Sequence, residues 1–146
     1  MKKKIFVFGA SGTLGTNLIY FLQKKYNFIF NVHKSNLFFD NVDYCNYFKD
    51  KKIITEKNLF EKLNIIKPDI LINCAANTNL DYCEKYPNKT KFVNEVLPAL
   101  LSNVCKKLSI KFVHISTDHL YRGLDSIKKT ENFATNPVNI YGSQNE

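Results

Sequence analysis

Lys4-Ile5-Phe6-Val7-Phe8 is a nearly continuous apolar run of β-branched and aromatic residues, and it stops at Gly9. Such a run reads as a short strand covered on both faces, because a half-exposed strand would alternate polar and apolar positions. From Thr13 the period changes. Leu14, Leu18, Phe21 and Leu22 recur at helical spacing, and Lys24-Lys25 falls where a last turn would welcome positive charge. Residues 26–32 predict a second strand through Phe28, Ile29, Phe30 and Val32. Residues 36–52 are rich in Asn, Asp and aromatics and predict a loop with short irregular elements. Thr55 or Asn58 then caps a helix carrying Leu59, Phe60, Leu63 and Ile66, which Pro68-Asp69 breaks. Ile70-Leu71-Ile72 predicts a strand ending in the polar Asn73, and residues 77–86 a loop with a short turn. Residues 89–108 carry Phe92, Val93, Val96, Leu97, Leu100, Leu101, Val104 and Leu108, the pattern of a long amphipathic helix. Pro98 lies inside that helix and is expected to kink or break it. Residues 110–115 predict a strand that delivers Ser116-Thr117-Asp118 at its C-terminal end, and Pro137 stands where a further helix opens.

Strands alternating with helices argue for an α/β fold. Its parallel sheet is doubly wound by right-handed crossovers, giving three layers. At 146 residues the chain fits one domain, residues 1–146. A hydrophobic content of 45% excludes a disordered chain. No apolar run approaches the ~18 residues of a membrane span. Residues 5–10, after Lys2-Lys3-Lys4, are too short for a signal-peptide core, so a cytoplasmic address and no membrane partner are expected.

The net charge is +8, from 21 Lys+Arg against 13 Asp+Glu, and Arg122 is the one arginine. The lysines are spread over element ends and helix faces, as at Lys24-Lys25, Lys51-Lys52, Lys106-Lys107 and Lys128-Lys129. That spread suits a solvated surface better than a nucleic-acid face, so no nucleic-acid partner is expected. Cys45, Cys74, Cys83 and Cys105 form no Cys-x-x-Cys pair, and the histidines do not stand at ligand spacing to them. Free thiols and no metal site follow.

The most informative chemistry lies at Gly9-Ala10-Ser11-Gly12-Thr13-Leu14-Gly15, between a predicted strand and a predicted helix. Gly9 allows a sharp turn off the strand. Gly12 lets a pyrophosphate approach the backbone. Gly15 lets the helix pack close. The helix N-terminus offers free N–H groups and positive potential. Gly9, Ser11, Gly12, Thr13, Leu14 and Gly15 are therefore candidate dinucleotide-binding residues, and the context that this motif requires is met. An acid normally ends the second strand and holds the adenosine ribose of NAD. Here Asn31-Val32-His33-Lys34-Ser35 has none before Asp40, and Lys34 would welcome a 2′-phosphate. NADP is thus the expected cofactor, with NAD possible.

The glycine spacing resembles the extended short-chain dehydrogenase/reductase superfamily. Further blocks narrow the resemblance to dTDP-4-dehydrorhamnose reductases and their relatives. They run from Pro68-Asp69-Ile70 through Asn73-Cys74-Ala75-Ala76-Asn77 to Asp81-Tyr82-Cys83-Glu84. Val93-Asn94 follows, then His114-Ile115-Ser116-Thr117-Asp118-His119-Leu120-Tyr121-Arg122-Gly123, Glu131 and Pro137-Val138-Asn139-Ile140-Tyr141-Gly142. The resemblance implies a Rossmann-type sheet. Ala75 and Ala76 would line the cofactor groove, with Asn94 as a further cofactor residue. Ser116 and Thr117 would hold a substrate carbonyl, and Tyr141 would be the acid that protonates it. It implies a nucleotide-linked 4-keto sugar as substrate.

Two departures temper this expectation. The superfamily's lysine four residues after the tyrosine is Asn145 here. A free tyrosine titrates near ~10, and a neighbouring cation is what favours its phenolate. The family pattern also continues beyond Glu146 into a substrate domain. The expectation is therefore an incomplete, C-terminally truncated cofactor domain, truncated or inactive as a reductase. The alternative is a non-catalytic nucleotide-binding or regulatory module of the same fold.

Overall fold

The computed structural model describes residues 2–31, 43–45, 54–123 and 128–146. It divides into two compact units, Met1–Ala75 with Pro98–Ile115, and Ala76–Leu97 with Ser116–Glu146.

The first unit is a five-stranded parallel sheet in the order β3-β2-β1-β4-β5. Its strands are β1 (Lys4–Phe8), β2 (Asn27–Asn31), β3 (Asp43–Cys45), β4 (Ile70–Asn73) and β5 (Lys111–His114). Its helices are α1 (Thr13–Leu22) and α2 (Glu56–Ile66), and most of a later helix, Leu97–Lys107, belongs to it as well. The chain steps outward from β1 to β3, then returns across to β4 and β5. With right-handed crossovers, α1 lies on one face and α2 and the later helix on the other. The doubly wound expectation holds, and strand order reverses between β1 and β4, where such sheets bind ligands.

Alternation along β1 feeds both layers. Ile5 and Val7 pack with Phe28, Phe30, Ile72 and with Ala10 and Ile19 of the α1 side. Phe6, Phe8 and Leu71 point to the other face and are buried, as are Leu59, Leu63, Leu101 and Val104 on the covering helices. The helical spacing after Thr13 selected the wrong residues in part. Leu14 and Phe21 are 46% and 73% exposed, and the buried positions of α1 are Gly15 and Ile19. Lys24-Lys25 lies beyond the last turn, since α1 ends at Leu22.

Several boundaries follow from local chemistry. Thr55 is the α2 cap, and its hydroxyl accepts the Asn58 N–H at 3.2 Å, so Asn58 is the donor rather than the cap. Lys67 ends α2 in the left-handed region at φ 47°, and Pro68 cannot continue the helix. β3 was not expected from the sequence, since residues 36–52 read as a loop. Most of that stretch lies outside the described residues, as does Val32 of the expected second strand.

The second unit is built from short helices. The expected loop at residues 77–86 instead contains α3 (Leu80–Lys85). Asn79 makes the difference, because its side-chain oxygen accepts the Tyr82 N–H at 2.8 Å and caps a segment too short to show periodicity. The long helix begins earlier than expected, as α4 (Pro87–Lys91), with the proline at the first position, where it costs no hydrogen bond. A π-helical segment, Phe92–Val96, follows, and α5 (Leu97–Lys107) completes it. The break expected from Pro98 is this segment. Proline offers no N–H to the carbonyl four residues back, and the wider turn absorbs the mismatch. A 3₁₀ turn (Asp118–Leu120) and α6 (Ile140–Gln144) complete the unit. The helix expected from Pro137 starts three residues later, after its cap Asn139.

Candidate functional site

The turn after β1 is fixed by backbone geometry. Gly9 sits at φ +75°, and a Cβ there would lie 2.5 Å from the Ala75 N and 2.7 Å from its Cα. Gly15 has no room either, since its Cβ would meet the Gly9 O at 2.4 Å and the Ala10 Cα at 2.7 Å. The helix thus packs against its own turn. Gly12 differs. Its added Cβ would meet the Gly9 O alone, at an ordinary 3.4 Å, and Gly12 is exposed. Gly12 also stands at the N-cap of α1 with no side chain capping the helix. Its own N–H donates to the Gly9 O at 3.1 Å. The Thr16 hydroxyl donates to the Ala10 O at 3.0 Å and stiffens the turn. Thr13 and Leu14 are exposed beside this end and Ser11 is half-buried. The uncapped first turn, open at Gly12, fits an anionic phosphate.

At the neighbouring strand ends, Asn73 is fully buried. Its Oδ1 accepts the Ala75 N–H at 3.1 Å, which fixes the amide orientation. Its Nδ2 then donates to the His114 Nδ1 at 3.1 Å, so that nitrogen carries no proton. Burial lowers the His114 pKa in the same sense. Ala75 is half-buried, its backbone placed against Gly9.

In the second unit, Tyr141 is 8% exposed, with the Thr117 hydroxyl near enough to act on its pKa. Burial raises the Tyr141 pKa, the nearby Thr117 hydroxyl opposes this, and negative charge at Cys83 and Asp118 raises it further. The phenol is therefore protonated at neutral pH. Thr117 also accepts the His119 N–H at 3.2 Å and donates to the Asp118 Oδ1 at 3.3 Å. It is the cap of the turn beside Tyr141. The His119 ring meets Tyr141 edge-on, with centroids 5.8 Å apart. The His119 Nδ1 faces the Asn139 Nδ2 at 2.8 Å. A Cβ on Gly142 would lie 2.3 Å from the His119 O, so this glycine lets α6 lie against the turn.

The remaining expected residues distribute unevenly. Ser116 and Ala76 are exposed and make no described side-chain bond to the others. Asn94 is 2% exposed, and its amide is used within the protein. Its Oδ1 accepts the Asn77 N–H at 2.8 Å, and its Nδ2 donates to the Asn77 O and the Gln144 Oε1, both at 3.1 Å. Lys34 lies outside the described residues. Gln144 escaped the sequence reading. It is 7% exposed, its Oε1 accepts from Thr90 at 2.9 Å, and its Nε2 donates to the Pro87 O at 2.9 Å. Its partners lie fifty or more residues away in sequence, so no local spacing signals it. Asn145 donates its side-chain amide to the Tyr141 O at 2.7 Å. Among the described residues no cluster of His, Cys, Asp or Glu could hold a metal, and no helix is long and apolar enough to cross a membrane.

The chain is similar over 139 residues to dTDP-4-dehydrorhamnose reductase of Escherichia coli K12, at 30% identity, covering 94% of this chain and 42% of that protein. It is 32% identical over 138 residues to the probable low-salt glycan biosynthesis reductase Agl14 of Haloferax volcanii, covering 94% of this chain and 44% of that one. Among solved structures, the dTDP-4-dehydrorhamnose reductase of Bacillus anthracis in complex with NADP superposes with a TM-score of 0.78. The identity there is 26%, over 99% of this chain and 47% of that one. The chain thus spans less than half the length of these relatives. Residues 2–145 match the RmlD substrate binding domain family, and the chain belongs to it.

Proposed function

We propose that the chain carries the dinucleotide-binding and proton-donating parts of an NADP-dependent reductase of a nucleotide-linked 4-keto sugar. The observation that carries this reading is the buried, protonated Tyr141, with the Thr117 hydroxyl beside it, in a chain that also holds the open glycine turn. Gly12 and the first N–H groups of α1 would take the pyrophosphate, with Gly9, Ser11, Thr13, Leu14 and Gly15 shaping that turn. Ala75 and Ala76 would flank the dinucleotide, and Lys34 would answer a 2′-phosphate. Bound NADPH supplies the hydride. The chain's own part is to hold the carbonyl oxygen between the Ser116 and Thr117 hydroxyls and to deliver the Tyr141 proton to it. A cytoplasmic setting, with no membrane or nucleic-acid partner, belongs to the same reading.

A raised phenol pKa makes Tyr141 a reluctant acid, and no cation stands at position 145 to correct it. Turnover is therefore proposed to fall below ~1 s⁻¹, the low end of ordinary enzyme rates. The test is NADPH oxidation with dTDP-4-dehydrorhamnose, beside calorimetric titration of NADPH. Tyr141→Phe should end oxidation and leave NADPH binding intact, whereas Gly12→Val should lose both. Equal NADPH binding by Gly12→Val and the unaltered chain would refute the turn as a cofactor site. Asn145 also supports a second reading, a nucleotide-binding module without catalysis, which predicts NADPH binding with no oxidation at all.

A further inference from the structure

α6 carries Tyr141 on five residues, too few to hold a helix by their own hydrogen bonds. Its direction comes from what it is fastened to. The Glu84 Oε1 accepts the Ile140 N–H and the Asn139 Oδ1 accepts the Gly142 N–H, both at 2.7 Å, and these fix the start of the helix. Gln144 fixes its end through Thr90, Asn94 and the Pro87 O. None of these bonds reaches the Tyr141 side chain. His119 does, with its ring edge-on to the phenol ring at 5.8 Å between centroids. His119 is half-buried and has no part in the proposed proton transfer.

His119 is itself fastened at three points. Its N–H donates to the Thr117 hydroxyl oxygen at 3.2 Å. Its carbonyl lies so close to Gly142 that a Cβ there would strike it. Its ring faces Asn139, with Nδ1 at 2.8 Å from the amide. That last contact has one sense only. The Gly142 N–H takes the Asn139 oxygen, so the amide nitrogen is the atom turned to the imidazole, and an amide nitrogen only donates. Nδ1 therefore offers its lone pair, and the neutral ring carries its proton on Nε2. The tautomer and the tilt of this ring are set by the cap of the helix that bears Tyr141. Asn139 holds His119, His119 meets the Tyr141 ring, and the helix leads back to Asn139.

We propose that His119, held as its Nε2–H tautomer by Asn139, is the positioning residue that fixes the direction of the Tyr141 phenol for proton transfer. It acts through the ring it packs on. The consequence for turnover rests on the reading of Tyr141 as proton donor, whereas the geometry does not. A donor misplaced by about 1 Å can cost ~10²-fold in rate. Asn145 engages the Tyr141 backbone O at 2.7 Å, which leaves the direction of the ring to its neighbours.

The experiment has two arms. In the first, histidine and tyrosine rings of the full chain are read by 15N and 13C NMR at pH 8, with His119→Phe and Tyr141→Phe assigning the signals. His119 should show an unprotonated Nδ1 and a protonated Nε2. Asn139→Asp keeps an oxygen to cap Gly142 and turns the donor into an acceptor, so His119 should change to the Nδ1–H form. His119→Phe keeps a ring and loses the bond, whereas His119→Gln keeps an acceptor and loses the ring. Both should increase the fast motion of the Tyr141 ring, with circular dichroism checking that the fold persists. In the second arm, NADPH oxidation with dTDP-4-dehydrorhamnose should lose at least ~10-fold in kcat in both His119 variants, with KM nearly unchanged. An unchanged stoichiometry of NADPH binding separates this from a loss of folded protein. Three results overturn the positioning role: a protonated Nδ1 in the unaltered chain, a Tyr141 ring equally still in both His119 variants, or a kcat indifferent to them. Failure of the reductase reading looks different. A Tyr141 ring steadied by His119 in a chain that never oxidises NADPH would sink the proton donation and keep the positioning.

Discussion

The turn at Gly9–Gly15 is held by backbone against backbone, whereas the segment around Tyr141 is held by side chains. In the first, adding a Cβ to Gly9 or Gly15 meets main-chain atoms at under 3 Å, and no rotamer can move aside. In the second, Thr117, Asn139, Asn94 and Gln144 close the structure through hydroxyls and amides. The first construction tolerates no added atom. The second tolerates no lost partner, because a buried amide without its bond costs about 1–3 kcal/mol.

Gly9→Ala tests the backbone construction with the largest expected effect. A left-handed φ costs about 1–2 kcal/mol for a residue with a Cβ. Displacing the Ala75 backbone adds a further ~1–3 kcal/mol of overpacking. The midpoint of urea unfolding should fall accordingly. Gly12→Ala should stay within ~1 kcal/mol of the unaltered chain, because its Cβ meets nothing closer than 3.4 Å. Equal destabilisation by the two would show that the turn is not held as described.

Gln144→Ala tests the side-chain construction. It strands one Asn94 donor in the interior and takes a partner from the Thr90 hydroxyl and the Pro87 carbonyl, which keep their bond to each other at 3.1 Å. A loss of about 1–3 kcal/mol in thermal unfolding is expected. Amide exchange should quicken in α6 more than in the β1 strand. Gln144→Leu, similar in volume, should do no better, since the lost bonds and not the lost volume set the cost. A leucine variant as stable as the unaltered chain would break the comparison.

The same contrast explains what could be read from residues alone. Gly9, Gly12 and Gly15 state a backbone requirement in their own identity, so strand, turn and helix were legible there, as were Asn73 and the Pro98 break. The Tyr141 segment was legible by resemblance to a family, and its supports were not. Gln144 finds Thr90 and Asn94 across 54 and 50 residues, and His119 finds Asn139 across 20. α3 was missed because six residues give no period, and its cap is one side-chain oxygen. On α1, spacing proposed Leu14 and Phe21 for the core. The helix turns its glycine toward the turn instead, and Gly15 with Ile19 sets which face is inside.

Asn139→Ala should cost about 1 kcal/mol, the usual worth of an N-cap. Its Oδ1 accepts the Gly142 N–H at 2.7 Å and its Nδ2 faces His119, so the variant also frees the His119 ring against Tyr141. Asn79→Ala removes a cap of the same type from α3, with the Tyr82 N–H as its partner. The Asn139 variant should exceed the Asn79 variant in thermal unfolding, by the worth of the second bond. Equal losses would mean that the contact with His119 adds nothing to the cap.

The smallest effect is a pH dependence at a place where the first unit departs from backbone-only construction. His114 Nδ1 must be unprotonated to accept from Asn73, whose orientation the Ala75 N–H fixes. Burial lowers the folded pKa of His114 below its ordinary 6.5. In the unfolded chain the ring takes up a proton near that ordinary value, while the folded chain resists. Below pH 6.5 the unfolded state therefore binds more protons, and stability falls with falling pH until the folded pKa is passed. Above pH 6.5 the contribution is fully present. Urea midpoints measured from pH 7.5 downward should show this decline. His114→Gln should flatten it, since a glutamine oxygen can accept the same bond without titrating. The Asn73–Ala75 link would then persist at every pH, and with it the backbone that Gly9 meets. An unaltered slope in His114→Gln would assign the pH dependence to other groups and remove His114 from the structure's acid response.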